Sequence, residues 1–251
     1  TFGMTMVMAV RGIDLSIAQV ADASGVMAAM LLLSGKNFLV AILGALAFGL
    51  LVGLINALLI SYLGVPAIIG TLGMMFIIRS VELTLTDGAQ PQILFTLPAD
   101  RVKNFFFIGQ ESVGPISVLI LLTIVIIVVM YLTKERSVFG RHMDAVCGNV
   151  DASLLAGINV RRVFASTLVI SSVLAALAGV MLVSRSGNAV PRGAETYLTD
   201  CFVAVYIGTL ISSRNKFNMI GSVIGALFVG FISNFITLMG MGIAYKNIFN
   251  G

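Results

Sequence analysis

The sequence predicts an all-α integral membrane protein that crosses the bilayer several times, and two observations carry this prediction. Of the 251 residues, 59% are hydrophobic and only 10% are charged, and the mean hydropathy is +1.07. Soluble domains usually carry about 25% charged residues. The apolar residues also form blocks close to the roughly 20 residues that a helix needs to cross a hydrocarbon core. Because lipid cannot satisfy backbone amides, these blocks must be helices rather than open strands.

We expect about seven to eight transmembrane helices, separated by glycine and proline residues that end helices. Gly35, Gly64, Pro66, Pro191 and Gly240 mark such boundaries. The predicted positions are a partial span at 1–10 and spans near 18–33, 38–63, 66–86, 115–133, 163–184, 199–212 and 219–239.

A broken helix is predicted near 12–16, within the stretch MAVRGIDLSIAQVADASGV (8–26). Gly12, Asp14 and Ser16 can interrupt a helix and leave unwound backbone where a hydrated cavity lies. Asp14 or Ser16 would cap the helix that follows, Ser16 by accepting from the amide of residue 18 or 19. We interpret the break itself as part of a translocation path.

Other polar residues inside the predicted spans are further candidates for this path. Gln19 and Asp22 are three residues apart and share a helix face. An ionised aspartate at mid-bilayer costs roughly 2.5–3.5 kcal/mol, so Asp22 is expected to face a wet interior. A hydrogen bond to another helix and an interfacial position remain open for it. Asn56 is interpreted first as a hydrogen-bonding contact between helices. The candidate path residues are Asp14, Ser16, Gln19, Asp22 and Asn56.

Two short spacings predict local contacts. Arg79 and Glu82, three residues apart, are expected to form an ion pair on one helix face. Two sets of glycines are spaced for close helix packing. They are Gly44, Gly49 and Gly53, and Gly221, Gly225 and Gly230.

Two polar segments, 87–114 and 134–162, are long enough to be more than turns. The second segment holds five basic residues, and basic residues collect on the cytosolic side of membrane proteins. We therefore place 134–162 in the cytosol. Its basic residues are Lys134, Arg136, Arg141, Arg161 and Arg162.

Within the cytosolic segment, the run AVCGNVDASLLAGINVRR predicts a short helix from Asp151 to Ile158. Gly148 and Asn149 would stand at its start and Gly157 would terminate it. A short amphipathic helix between two spans suits docking into a groove on another protein. An ordinary helix on the membrane surface is the alternative.

Several function classes find no support in the sequence. Cys147 and Cys201 fit neither a disulfide framework nor a metal site. The net charge of +4 fits cytosolic loops better than nucleic-acid binding. The single histidine, His142, lies in the polar segment 134–162, which argues against an intramembrane serine protease. SGKN (34–37) lacks the first glycine and the final Ser or Thr of a phosphate loop, so ATP must act elsewhere.

Five segments, in this order, resemble the membrane subunit of bacterial ABC importers for simple sugars, the permease family typified by the ribose importer. They are GMT…RGIDLS (3–16), VPAIIGTLGMMFIIRS (65–80), SVFGRHMDAVCGNVDASLLAGINVRR (137–162), LAALAGVMLVSRSGNAVPRG (174–193) and IGSVIGALFVGFISN (220–234).

The resemblance implies that 1–251 is a single permease domain of the bacterial inner membrane. It implies that 134–162 is the coupling loop, whose short helix sits in a cleft of a cytosolic ATPase. ATP would be bound by that partner, and this chain itself would bind no cofactor. Cys147 stands where the family usually has glycine. The coupling residues carried over by position are Arg141, Gly148, Asn149, Asp151, Ala152, Gly157 and Ile158.

The resemblance also implies further partners and a cargo. A solute-binding protein would deliver a small polar solute, most simply a monosaccharide, against segments such as 87–114 and 185–198. A second permease copy or a related permease would complete the path. Family members begin and end with additional helices, so truncation at both ends is expected here. The family's GGxG run is replaced by RNKFN (214–218).

A secondary transporter driven by an ion gradient is the alternative function. It predicts inverted repeats with broken helices and paired intramembrane carboxylates. The break at 12–16 and Asp22 could serve such a protein, but no second matching break is evident in the sequence.

Overall fold

The computed structural model describes residues 1–211 and 216–240. The helices are α1 (Phe2–Met8), α2 (Ile17–Leu33), α3 (Phe38–Ala57), α4 (Ala67–Leu85), α5 (Ala99–Gln110), α6 (Val118–Tyr131), α7 (Val138–Gly148), α8 (Val150–Leu155), α9 (Val160–Ser186), α10 (Thr196–Ile211) and α11 (Met219–Leu238). A π-helical turn extends α3 over Leu58–Tyr62 and another extends α6 over Leu132–Arg136, and a 3₁₀ turn spans Leu94–Thr96. The strands are β1 (Gln92–Ile93), β2 (Ser112–Val113), β3 (Ile116–Ser117) and β4 (Asn188–Ala189).

The predicted all-α membrane fold is confirmed. In the described residues, five helical segments are long and apolar enough to cross a membrane, and α2 and α10 are shorter apolar helices. Together with the short α1, they occupy the predicted span positions. The five long segments are Phe38–Tyr62, Ala67–Leu85, Val118–Arg136, Val160–Ser186 and Met219–Leu238.

Helix α9 is the centre of the bundle and packs against α1, α2, α3 and α5. Half of the residues in its most apolar 18-residue stretch are buried, whereas a third or fewer are buried in the other long spans. Small residues permit this packing. A Cβ on Gly179 would collide with the carbonyl of Ala21 on α2, and one on Gly49 would collide with Ala176 of α9. Close backbone approach through small residues replaces the hydrophobic driving force that lipid removes.

A second tight contact joins α10 and α11, the two helices that end the described chain. A Cβ on Gly221 would collide with the carbonyl of Gly208, and one on Gly225 with the carbonyl of Ala204. The predicted packing roles of Gly49, Gly53, Gly221 and Gly225 are confirmed. Among residues 1–211 and 216–240, no atom lies within 4 Å of a Cβ placed on Gly230, so the predicted packing is not found there.

The end of the bundle opposite α7 and α8 is covered by the segments that follow α4 and α9. β1 pairs antiparallel with β4, which joins these two segments, and β2 pairs with β3. α5 packs on α9, where Phe105 is fully buried and its carbonyl accepts from the Ser184 hydroxyl at 2.6 Å. Helices α5 and α7 were not predicted, because both lie in segments interpreted as polar. Arg214 and Gly242 lie outside the described residues.

The contact between α2 and α9 yields a stability prediction. Gly179→Ala places a methyl group against the backbone of Ala21 and should lower the free energy of unfolding by about 1–3 kcal/mol. Thermal unfolding in detergent measures the effect. Gly73→Ala on α4, where the added methyl meets no other atom, is the matched control and should unfold like the wild type. Equal melting temperatures for both variants would contradict the packing described for α9.

Candidate functional site

The predicted break separates α1 from α2 and is confirmed: α1 ends at Met8 and α2 begins at Ile17. Thr71, a buried residue of α4, supports the unwound backbone between them. Its hydroxyl accepts from the amide of Leu15 at 3.2 Å and lies 3.4 Å from the carbonyl of Ile13. Polar backbone inside a membrane bundle is tolerated where other parts of the protein supply such partners.

Four fully buried side chains form a polar cluster at the break, which comprises Asp14, Ser16, Asn56 and Ser171. Asp14 Oδ1 accepts from the amide of Ser16 at 3.0 Å and from its hydroxyl at 2.6 Å. Asp14 Oδ2 accepts from the hydroxyl of Ser171 on α9 at 3.1 Å. Ser16 Oγ accepts in turn from Asn56 Nδ2 on α3 at 3.0 Å. The cluster therefore joins α2, α3 and α9 through one carboxylate.

The predicted capping by Ser16 is wrong. Ser16 is the residue that precedes α2, but its side chain accepts no bond from the first amides of that helix. Its hydroxyl is occupied by Asp14 and Asn56 instead. Asp14 organises the start of α2 through the amide and hydroxyl of Ser16. Asn56 makes the interhelical hydrogen bond that was predicted for it.

Two carboxylates from different helices lie further along α2. Glu82 of α4 is buried, and its Oε2 accepts from Gln19 Nε2 at 3.1 Å. Asp22, half-buried, accepts from the amide of Ala194 at 3.4 Å. Asp22 also borders a cavity of about 200 Å³ between α2, α9 and the segment after α9, beside Tyr197 and other residues. Of the predicted path residues, Asp14, Ser16, Gln19 and Asn56 are buried, whereas Asp22 lines this cavity.

The predicted ion pair between Arg79 and Glu82 is wrong. Arg79 Nη1 lies 3.5 Å from Glu195 Oε1, in the segment between α9 and α10. Arg192 holds the same carboxylate with two bonds, from Nε to Oε1 at 2.9 Å and from Nη2 to Oε2 at 3.1 Å. These hydrogen bonds and charges keep the pKa of Glu195 below its usual value. Glu195 thus draws Arg79 away and ties α4 to the segment that borders the cavity.

The segment 134–162 folds into α7 and α8, which together form what we call the hairpin. It is anchored to neighbouring elements at its base. Lys134, almost fully buried, pairs with Asp144 of α7 at 2.5 Å. Glu135 accepts from the amide of Met219, which begins α11. The first contact holds α7 against the end of α6, and the second joins that end of α6 to the start of α11.

Helix α8 projects from this base and matches the short helix predicted there. Asn149 caps it by accepting from the amide of Ala152 at 3.0 Å. Gly157 ends it in the left-handed conformation, with φ of 79°. Leu155 is 90% exposed and Leu154 is 54% exposed, whereas Ser153 of the same helix is buried. α8 therefore presents leucines outward from the end of the bundle where the basic residues collect.

The predicted coupling residues are exposed on the hairpin and the turn after it, with one exception. Ile158 is half-buried and packs with Val146 against the core. The exposed members are Arg141, Gly148, Asn149, Asp151, Ala152 and Gly157.

The sequence is similar to a family of known membrane permeases. The family model described as the permease component of the branched-chain amino acid transport system matches residues 1–251. The ribose import permease protein RbsC of Escherichia coli (strain K12) is 34% identical over 246 residues, which cover 98% of this chain and 76% of that protein. The chain belongs to this permease family. RbsC of Bacillus subtilis (strain 168) is 32% identical, covering 100% of this chain and 76% of that protein.

Other permeases of different sugars are similar to the same extent. The D-allose transport system permease protein AlsC of Escherichia coli (strain K12) is 30% identical, covering 96% of this chain and 72% of that protein. No solved structure matches the chain. The resemblance to sugar-importer permeases that the sequence motifs indicated is confirmed, and the permease is a multi-pass protein of the bacterial inner membrane.

Sequence reasoning missed three contributors to the site of the permease. Ser171 completes the polar cluster, Thr71 supports the break and Glu195 binds two arginines. A hydroxyl inside a predicted span is a weak signal, because most such groups bond the carbonyl of their own helix one turn back. Thr71 does so as well, to Ala67.

The polar cluster yields a second stability prediction. Asp14→Ala leaves the hydroxyls of Ser16 and Ser171 without their acceptor inside the bundle, at about 1–3 kcal/mol for each unpaired group. We expect a clear loss of melting temperature in detergent and a smaller loss for Asp14→Asn, which keeps one acceptor oxygen. Ser80→Ala is the control, since this exposed hydroxyl bonds only within α4. An Asp14→Ala protein as stable as the wild type would contradict the role of the carboxylate.

Proposed function

We propose that this permease forms half of the translocation path of an ATP-driven importer for a small polar solute, most simply a monosaccharide. ATP is bound and hydrolysed by a separate cytosolic ATPase, and the permease itself binds no cofactor. A second copy of the permease, or a related one, completes the path. An extracytoplasmic solute-binding protein delivers the cargo.

The observation that carries this proposal is the outward surface of α8. Exposed leucines at the end of a short polar helix are costly in water, and they suit a groove on a partner protein. The base of the hairpin is held by Lys134–Asp144 and by Glu135 on the amide of Met219. A force applied to α8 is therefore passed into the spans instead of being absorbed by a loose loop.

The opposite end of the bundle supports the proposed binding-protein partner. Segments 87–114 and 185–198 meet there through the pairing of β1 with β4. They offer the surface for the solute-binding protein, and Asp22 lines the cavity beneath them. The names of the relatives, ribose and D-allose permeases, favour a sugar as the cargo.

One observation favours a second candidate, a secondary transporter driven by an ion gradient. Asp22 and Glu82 come from different helices, and Glu82 bonds Gln19, which lies one turn before Asp22 on the same face of α2. Paired carboxylates of this kind occur in ion-coupled transporters.

Reconstitution separates the two candidates. The permease is placed in liposomes with its ATPase and binding protein, and uptake of labelled D-ribose, D-allose and leucine is measured. We expect uptake only when the ATPase is present and ATP is supplied on its side of the membrane. Uptake that persists without the ATPase and follows a proton or sodium gradient would replace the proposal by the second candidate.

The terminator of α8 gives the first functional prediction. Gly157→Val forces a β-branched residue into the left-handed region, where non-glycine residues cost about 1–2 kcal/mol. We expect ATP-driven uptake to fall by about tenfold while the protein still inserts and hydrolysis by the ATPase continues. Gly230→Ala, on the open face of α11, is the control and should transport normally. Unchanged uptake by Gly157→Val would remove the hairpin from the coupling mechanism.

The carboxylate at the cavity gives the second. If Asp22 lines the path, Asp22→Asn should raise the solute concentration for half-maximal uptake by about fivefold, because one charged acceptor is lost. Thr123→Val, at an exposed position of α6 whose hydroxyl bonds only its own helix, is the control. Normal kinetics for Asp22→Asn would return this side chain to a structural role.

A further inference from the structure

Arg11 occupies a backbone position that favours glycine. The amide of Arg11 bonds the carbonyl of Met8 and the amide of Gly12 bonds the carbonyl of Val7. This pair of bonds is the Schellman motif, whose left-handed residue is usually glycine. Arg11 has φ of 62° there.

The same chain uses glycine at the equivalent position of other helices. The amides of Gly35 and Lys36 close α2 in this way, with φ of 81° at Gly35. The amides of Gly157 and Ile158 close α8, with φ of 79° at Gly157. An arginine at this position carries a conformational penalty that glycine avoids. Such an outlier points to a function for its side chain.

The side chain of Arg11 reaches the hairpin. Its Nη2 donates to the carbonyl of Gly148 at 3.2 Å, across 137 residues of sequence. Gly148 is the last residue of α7, directly before the cap of α8. Carbonyls at the end of a helix lack partners in the helix and carry partial negative charge, so they favour a cationic donor.

The segment that follows Arg11 is bonded to three spans. Two and four residues further on, the backbones of Ile13 and Leu15 bond the hydroxyl of Thr71 on α4. Asp14 bonds Ser171 of α9, and through Ser16 it is linked to α3. One short unwound stretch therefore connects the junction of α7 and α8 with the polar cluster.

We infer that Arg11 is a positioning residue that ties the hairpin to the helix break, so that movement of α8 is transmitted to the polar cluster. The inference rests on the proposed function, because it takes the hairpin to be moved by an ATPase. α9 offers a second connection, since it starts just after the hairpin and carries Ser171. Arg11 adds a direct connection to the other side of the cluster, at the start of α2.

Hydrogen–deuterium exchange of the complete complex in detergent tests the inference. Exchange at residues 150–158 reports whether the ATPase covers the hairpin. Exchange at residues 12–16 reports whether the break responds when the non-hydrolysable nucleotide AMP-PNP and Mg²⁺ close the ATPase. In the wild type we expect protection of the first segment and a nucleotide-dependent change in the second.

Three variants separate the bond from the backbone penalty. Arg11→Ala removes the bond and keeps the penalty, Arg11→Gly removes both, and Arg11→Lys keeps a cationic donor. We expect the response at 12–16 to fall by about two- to fivefold in the alanine and glycine variants and to be partly kept in the lysine variant. Protection at 150–158 should stay unchanged in all three. Arg11→Gly should melt higher than Arg11→Ala, so a folded variant without the bond is available.

Lys216→Ala is the control for loss of one exposed positive charge at the same end of the bundle, outside the hairpin and α9, and it should respond like the wild type. If Arg11→Ala and Arg11→Gly respond like the wild type while the hairpin is protected, the inference is overturned and the proposed function stands. The same conclusion follows if the wild-type break gives no response under a protected hairpin. If the ATPase does not protect the hairpin at all, the proposed function fails and the inference fails with it.

Discussion

The packing of the permease around its helix break depends on the hydrogen bonds that the Asp14 carboxylate accepts. A membrane bundle tolerates an unwound segment only when the protein satisfies the polar groups of that segment. Asp14 does this by accepting from Ser16 and from Ser171, while Thr71 serves the neighbouring backbone. As a result α2 can begin inside the bundle and place Asp22 beside the cavity.

Helix α9 connects the hairpin with the polar cluster because it is adjacent to the first and contributes a residue to the second. Its start follows directly on the hairpin, and its middle supplies Ser171 to the polar cluster. Gly179, further along, brings α2 within backbone contact. A continuous helix with one closely packed face transmits displacement as a rigid body more readily than a chain of exposed side chains would. The hairpin, the break and the cavity are thus parts of one packed unit.

The permeases of different sugars that this chain resembles have similar sequences over most of their length. A shared fold of this kind does not select the solute, since selection depends on the side chains that face it. In this chain the side chains at the cavity include Asp22 and Tyr197. The cavity and the hairpin lie at opposite ends of the same bundle, so the proposed function assigns solute recognition and ATPase coupling to separate sets of residues.

Local signals were sufficient for the spans, the break and α8, whose determining residues are neighbours in the chain. Apolar blocks of bilayer length predicted the spans, and Asn149 with Gly157 predicted α8, because a cap and a terminator act within one helical turn. The break near 12–16 was predicted for the same reason. Helix α5 was missed, because its mixed polar and apolar sequence resembles a loop until Phe105 finds its place against α9.

By itself, then, the sequence determined that the chain spans a membrane, where its spans lie, where the chain breaks between two helices, and which polar segment bears a small helix. Only the tertiary structure decided which polar groups pair. Asp14 accepts a hydrogen bond from Ser171, 157 residues away in the sequence, and Arg79 pairs with Glu195 instead of Glu82. Ser16 donates to Asp14 instead of capping α2. The physical reason is that a buried polar group bonds whichever partner the packed helices bring within reach, and helix packing is not encoded in the local spacing of residues.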